Sequence, residues 1–490
     1  MATLGTIKPA DREFLQLVAR TAFCNPFSEE RASLDAQIVG HPVDPFSEAH
    51  LDEMTRVISK RAEQLQSKGL ADIRKYAARD SDLVRTFFLF EVYHCFCGEF
   101  DQLILEQARQ GAESLPVKFA DRLLERLRAR GFGNTESVRF LGIFYQLRRA
   151  FHFIVRGLIG RSPCMRELRS HLWQNVFTRE VRVYDRYLWN RMEDFSTLLL
   201  GETGTGKGAA AAAVGRSGYI PFDEKRGRFA ESFARSFISL NLSQFPETLI
   251  ESELFGHRKG AFTGAVEAHE GVLARCSPHG AIFLDEIGDV TVPIQIKLLQ
   301  VLQERTFCPV GSHDFARFRG RVIAATNQPL AALRSQKLFR EDFFYRLSSD
   351  IIEVPPLRQR LQEDPDELSQ LVEHIFTSIV GQRDRELQER VEQGIVSALG
   401  KSYSWPGNVR ELAQAVRQVL LTGVYKGTAD QKSSTPSGVL LAGFQNLSLT
   451  ADQLLAGYCA LLYDKTRNYE EVARRTKLDR RTVKKYVSNR

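Results

Sequence analysis

Thr197-Leu-Leu-Leu200-Gly201-Glu-Thr-Gly-Thr-Gly-Lys207-Gly208-Ala209-Ala-Ala-Ala-Ala-Val214 sets the architecture of the middle of the chain. Thr197–Leu200 is short and apolar, as a buried strand is, and the run from Ala209 is a strong helix former. Between them lies a glycine-rich loop. Strand, loop and helix in this order make a phosphate cradle: the glycines let backbone N–H groups curl around phosphate oxygens, and the helix N-terminus adds positive potential. Lys207 is placed to reach the terminal phosphates. The residues expected at a nucleotide are therefore Gly201, Glu202, Thr203, Gly204, Thr205, Gly206, Lys207 and Gly208. The usual pattern ends in Ser or Thr, whose hydroxyl touches Mg²⁺, and Gly208 has none.

Downstream, Gly280-Ala-Ile-Phe-Leu-Asp285-Glu286 is an apolar strand ending in two acids. Asp285 is expected to hold Mg²⁺ and Glu286 to polarise the attacking water. Two further apolar runs, Phe237–Leu240 and Val322–Ala325, alternate with helical stretches and Gly-rich turns. That alternation predicts an α/β layer with a parallel sheet over 158–355. Residues 356–425 read as helical and 426–450, rich in Ser, Thr, Gly, Lys and Gln, as a linker. Residues 1–157 read as mostly helical: Val138, Leu141, Phe144, Leu147, Phe151 and Ile154 recur at steps of three and four, and Phe87–Phe100 looks like a buried helix.

The 490 residues are 43% hydrophobic and 26% charged, an ordinary globular composition. No apolar run approaches the roughly 18–20 residues that span a bilayer, and the first residues lack a secretory pattern. The seven cysteines are scattered and odd in number, which suits reduced thiols and a cytoplasmic location. Lys465 to Arg490 holds ten Lys/Arg against three Asp/Glu, so this tail carries the whole net charge of +7. Within 451–490, Asn468–Thr476 and Arg480–Val487 read as two short helices joined by Lys477–Asp479, a helix-turn-helix pattern. The second helix offers Arg480, Arg481, Thr482, Lys484 and Lys485 to phosphates and base edges. A small helical hairpin used for dimerisation fits the same pattern.

Glu251-Ser-Glu-Leu-Phe-Gly256-His-Arg-Lys-Gly260-Ala-Phe-Thr-Gly-Ala265 closely resembles the signature of sigma-54-dependent transcription activators, within the AAA+ ATPases. The resemblance covers 158–425 and, in outline, the last forty residues. It implies a multi-domain protein: a helical N-terminal region, an α/β AAA+ P-loop core with a parallel sheet and helical lid, and a C-terminal Fis-like helix-turn-helix. Gly260, Ala261, Phe262, Thr263, Gly264 and Ala265 would form the loop that touches sigma-54, with Phe262 and Thr263 as its tips. Asn241 looks like the switch residue that restrains the catalytic Glu. Thr326 and Asn327 look like the γ-phosphate sensor, Arg340 and Arg346 like arginine fingers acting in trans, and Arg410 like the lid's second sensor. The implied cofactors are ATP and Mg²⁺. The implied partners are the sigma-54 RNA polymerase holoenzyme, upstream promoter DNA and further copies of the chain, in a hexameric ring when active, with no membrane.

Other readings stay open at this stage. An AAA+ remodelling ATPase with another protein target is one, and a DNA-binding repressor with a degenerate ATPase, suggested by Gly208, is another. The resemblance does not reach 1–157, where a phosphorylation switch, a small ligand and a protein partner are all conceivable. His94-Cys95-Phe96-Cys97 offers metal ligands or a redox pair, but steps of one and two point apart on a helix, so buried thiols beside a packed His fit better. The charged run Asp223–Arg228 reads as a surface insertion of unknown role.

Overall fold

A computed structural model describes residues 7–42, 47–400, 403–425, 440, 443–444 and 449–488. Most of the predicted linker lies outside the described residues. The chain divides into two compact units, Met1–His374 with Ser404–Glu411, and Ile375–Tyr403 with Leu412–Arg490.

Among the described residues the first unit begins with seven α-helices: α1 Pro9–Phe23, α2 Glu29–Val39, α3 Glu48–Ser67, α4 Ala78–Gln110, α5 Ala120–Ala129, α6 Asn134–Gly157 and α7 Pro163–Phe177. Ser28 and Ser47 cap α2 and α3, each accepting from a backbone N–H of the first turn. The aromatic-rich stretch sits in the middle of α4, where Phe87, Phe88 and Phe100 are fully buried. Residues 158–195, expected to open the α/β layer, carry α7 and no strand.

Nine strands follow among the described residues: β1 Thr197–Leu200, β2 Phe222–Asp223, β3 Arg228–Phe229, β4 Phe237–Asn241, β5 Ala281–Asp285, β6 Thr306–Phe307, β7 Ala316–Arg317, β8 Arg321–Thr326 and β9 Asp350–Glu353. Five form one parallel sheet in the order β4-β5-β8-β1-β9. Asn241 pairs with Asp285 in register, and Leu200 with Thr326. The predicted site residues thus gather along the carboxyl ends of adjacent strands, the edge at which open α/β sheets bind ligands. Short β2 and β3 form an antiparallel hairpin.

The charged run Asp223–Arg228 forms the end of this hairpin. Its charged tip is exposed, but Phe222 and Phe229, with Phe233 beyond them, are buried in the same core as α4, α5 and α6. The ring of Phe229 stacks on Tyr145 of α6 with centroids 3.9 Å apart. Beside it Arg149, fully buried, donates to the carbonyls of Arg216 (2.8 Å) and Gly218 (2.6 Å), and Gln146 donates to that of Ser217 (2.9 Å). Ala150 and Ile154 of α6 share a core with Ala210, Ala213 and Val214 of the helix Lys207–Gly215. The N-terminal helices are therefore welded to the phosphate-loop helix.

In the second unit, Asp384 caps the helix Arg385–Leu399. Three helices, Ala451–Thr466, Tyr469–Thr476 and Arg480–Ser488, close on Cys459, Val472 and Val483. Asn468 caps the second of them, accepting from the Glu470 N–H at 2.9 Å. Lys477 takes a left-handed φ of 56° at the turn, and Asp479 accepts from the N–H groups of Arg481 and Thr482. No helix among the described residues is long and apolar enough to cross a membrane.

Candidate nucleotide site and surface loop

The loop after β1 needs its glycines. Gly201, Gly204 and Gly206 have φ of 156°, 80° and 106°, and a Cβ on Gly204 would stand 2.4 Å from the Gly407 carbonyl. Lys207 is buried, its Nζ donating to the carbonyls of Gly201 (2.8 Å) and Glu202 (3.1 Å). Burial lowers its pKa, while the carboxylates of Glu286 and Asp285 hold it up. Gly208 has an ordinary φ, and a Cβ there would meet nothing closer than Phe283, at 3.9 Å. The site therefore has room for the missing hydroxyl.

Asp285 ends β5 and Glu286 follows it. Burial raises both carboxyl pKa values, against the pull of Lys207. Glu286 sits at a left-handed φ of 57°, and its carboxylate accepts from the Asn327 N–H at 3.2 Å. The Asn327 side chain donates to the Thr203 hydroxyl at 2.6 Å. Asn327 thus links the Glu286 carboxylate to the glycine-rich loop. Thr326 is buried at the end of β8, where its hydroxyl accepts from the Gln328 N–H. Asn241 instead caps the turn after β4: its side-chain oxygen accepts from the Ser243 N–H and hydroxyl. Among the described residues no hydrogen bond joins it to Glu286.

Two anchors went unread in the sequence. Asn408, fully buried at φ 52°, donates to the Glu202 carboxylate and the Thr203 carbonyl (both 3.1 Å) and accepts from the Leu357 N–H (2.7 Å). Arg358 grips Glu202 with two bonds, at 2.6 and 2.8 Å. Asn within Trp405-Pro-Gly-Asn-Val-Arg410 was the available signal, since Asn tolerates positive φ where a helix begins. Arg410 itself is exposed, and its Cβ lies beside Gly204.

Arg346 is exposed and Arg340 half-buried. Arg340 is clamped by Asp342 with bonds of 3.0 and 2.6 Å, and Arg346 donates twice to the Leu302 carbonyl. In the 260–265 loop, Gly260 and Gly264 have φ of 80° and 103°. The loop closes through the Gly260 N–H, which donates to the Ala265 carbonyl at 2.8 Å. Ala265 is buried, whereas Thr263 is exposed and Phe262 is 39% exposed, its ring resting on His257 at 4.9 Å.

A family profile described as "Sigma-54 interaction domain" matches residues 178–353, and one described as "AAA+ ATPase lid domain" matches 362–428. The transcriptional regulatory protein ZraR of Klebsiella oxytoca is 33% identical over 332 residues, covering 67% of each chain. The chain belongs to the sigma-54-dependent AAA+ activators. Other members include the sigma54-dependent transcriptional activator SfnR of Pseudomonas putida, 40% identical over 46% of this chain and 57% of that one. The regulatory protein AtoC of Escherichia coli is 38% identical over 46% and 45%. The chain spans about half the length of several curated relatives it matches, between 43% and 57% for the Nif-specific regulator of Azotobacter vinelandii and an NtrC of Bradyrhizobium. Around the four-residue window His94–Cys97, as elsewhere among the described residues, no cluster of three potential metal ligands exists. The His94 Nδ1 bonds to its own helix at the Phe90 carbonyl, and burial pushes its pKa down to about 3 and that of Cys97 up to about 12.

Proposed function

We propose that this protein hydrolyses ATP in a ring of like subunits and uses the motion to press the 260–265 loop against sigma-54, so that the polymerase complex at a promoter opens. The observation that carries this reading is the pairing, in one compact unit, of a glycine-built phosphate cradle with an exposed Phe262–Thr263 tip inside the matched sigma-54 interaction domain. An exposed Phe on a Gly/Ala stalk costs free energy unless a partner covers it.

The roles divide as follows. The loop 201–208 binds the phosphates, with Lys207 as point charge and Arg410 approaching from the start of the lid helix. Glu286 takes the proton of the attacking water. Its raised pKa brings its basicity closer to working pH. Asp285 is the carboxylate to hold Mg²⁺, which neutralises phosphate charge when bound, and water must fill the position that a hydroxyl at 208 would take. Thr326 and Asn327 sense the terminal phosphate: a phosphate drawing Asn327 away from Thr203 would free Glu286. Asn241 would exchange Ser243 for Glu286 in the restrained state. Arg340 and Arg346 would leave Asp342 and the Leu302 carbonyl to reach a neighbour's nucleotide. The exposed Arg480, Arg481, Lys484 and Lys485 would contact DNA, whereas the Thr482 hydroxyl is committed to Asp479.

The test is Thr263→Ala. ATP turnover is expected to persist while promoter opening is lost. Loss of both together would make the loop part of the nucleotide site and end the coupling role.

A further inference from the structure

A cavity of about 570 Å³ lies at the amino ends of β1, β5 and β8, the edge of the sheet opposite the nucleotide site. Its volume falls within the roughly 300–1,000 Å³ typical of small-molecule sites. Met192–Asp194 ahead of β1, Gly280 ahead of β5, Arg321 at the start of β8 and the end of the helix Lys207–Gly215 all line it. One wall is aromatic: Trp189 and Tyr219 meet edge to face with centroids 4.8 Å apart.

The charges on these walls are unequal. Arg305, Arg317, Arg319 and Arg321 stand against Glu193 and Asp194. Asp194 lies 3.4 Å from Arg305, whose guanidinium also donates to the carbonyls of Gly320 and Glu193. Burial lowers the pKa of the lining His279, so that ring adds no charge. Arg317 and Arg319 are exposed, and their side chains make no ion pair among the described residues. Arg321 is only 8% exposed, yet it bonds to neutral groups alone. Its Nε donates to the Phe195 carbonyl at 2.9 Å, and its Nη2 to Asn175 and the Thr197 hydroxyl at 2.9–3.1 Å. Its Nη1 makes no hydrogen bond among the described residues and, unlike the Nε of Arg305, is not sealed from solvent. Burial brings the Arg321 pKa down to about 10, against the pull of Asp350. A buried guanidinium without a bonded carboxylate is costly, and an anion beside it offsets that cost. The carbonyls that end the helix Lys207–Gly215 would repel an anion. Those of Arg216, Ser217 and Gly218, however, are taken up by Arg149 and Gln146.

We propose that this cavity binds a small phosphate monoester carrying a planar ring, with Arg317, Arg319 and Arg321 toward the phosphate and Trp189 and Tyr219 against the ring. Guanidinium groups match phosphate oxygens with paired N–H donors, and aromatic side chains favour edge or offset contact with a second ring. The site uses none of the residues of the phosphate loop, and it does not rest on the ATPase reading.

The experiment is calorimetric titration of the full chain with 1-naphthyl phosphate, with and without saturating ADP and Mg²⁺. Saturable binding at one site per chain is expected in both conditions. 1-Naphthol, which has the ring without the charge, should bind about tenfold more weakly or worse. Loss of Arg321 would unsettle the backbone that it braces, so the exposed arginines are replaced instead. The double variant Arg317→Gln, Arg319→Gln should bind about tenfold more weakly with an unchanged melting temperature, since exposed unpaired side chains contribute little to stability. Trp189→Leu should narrow the advantage of 1-naphthyl phosphate over inorganic phosphate. No saturable binding, displacement of the probe by ADP, equal binding of 1-naphthol, or unchanged affinity in the double variant would each overturn the site. An unchanged advantage in Trp189→Leu overturns the placement of the ring.

Discussion

Replacing Asn408 with Ala tests whether the lid junction holds the phosphate loop in shape. The change removes three hydrogen bonds: from the Leu357 N–H at 2.7 Å, and to the Glu202 carboxylate and Thr203 carbonyl, each at 3.1 Å. Thr203 is exposed and can turn to water, but Leu357 is fully buried, so its N–H is left unmet at about 1–3 kcal/mol. Ala must also hold φ 52°, which adds about 1–2 kcal/mol for an L-residue in the left-handed region. The sum is about 2–5 kcal/mol. Urea unfolding of the full chain measures it, and Asn408→Gly separates the parts, because glycine lifts the backbone penalty and leaves the stranded N–H. Nucleotide affinity, read by a fluorescent ATP analogue, should fall about tenfold for each 1.4 kcal/mol by which the loop is loosened. An Ala variant destabilised by less than about 0.5 kcal/mol, with unchanged affinity, would refute the reasoning; ordinary surface substitutions stay within that range.

Gly208→Ser should lower the Mg²⁺ concentration needed for half-maximal turnover, since a Cβ has 3.9 Å of clearance; an unchanged requirement would show that water fills the position equally well. The acid limb of the turnover–pH profile should fall with an apparent pKa above the ordinary carboxylate value, because burial raises that of Glu286. Turnover is full above that pKa and lost as pH falls through it, and Glu286→Gln should bind ATP, turn over slowly and lack the limb. Phe229→Ala, which empties a buried position stacked on Tyr145, should destabilise the first unit by about 3–5 kcal/mol; a near-neutral result would mean the hairpin does not anchor the N-terminal helices.

The parts of this protein legible in the sequence are those where chemistry and local pattern coincide. Phe237–Leu240, Ala281–Leu284 and Val322–Ala325 run largely apolar and then meet Asn241, Asp285 and Thr326, and Thr197–Leu200 meets the glycine-rich loop, so strand and candidate site residue are legible together. β9 begins and ends in an acid and is short, which left no periodicity to read. Two-residue strands cannot show alternation, so beside the charged tip Asp223–Arg228 nothing local marks Phe222 and Phe229 as buried. Helix α6 showed an apolar stripe, but not that Arg149 on another face would be buried against backbone carbonyls. Asn408 and Arg358 meet Glu202 across long stretches of chain, and such pairs belong to the fold rather than to any local run of residues.

The most direct test of the central claim is capture of purified sigma-54 by the full chain in the presence of ADP and aluminium fluoride, compared with Phe262→Ala. The complex is expected to form only with the trapped nucleotide and to be lost in Phe262→Ala while ATP turnover persists. No complex for the unaltered chain with nucleotide bound, or an equal complex for Phe262→Ala, would contradict it.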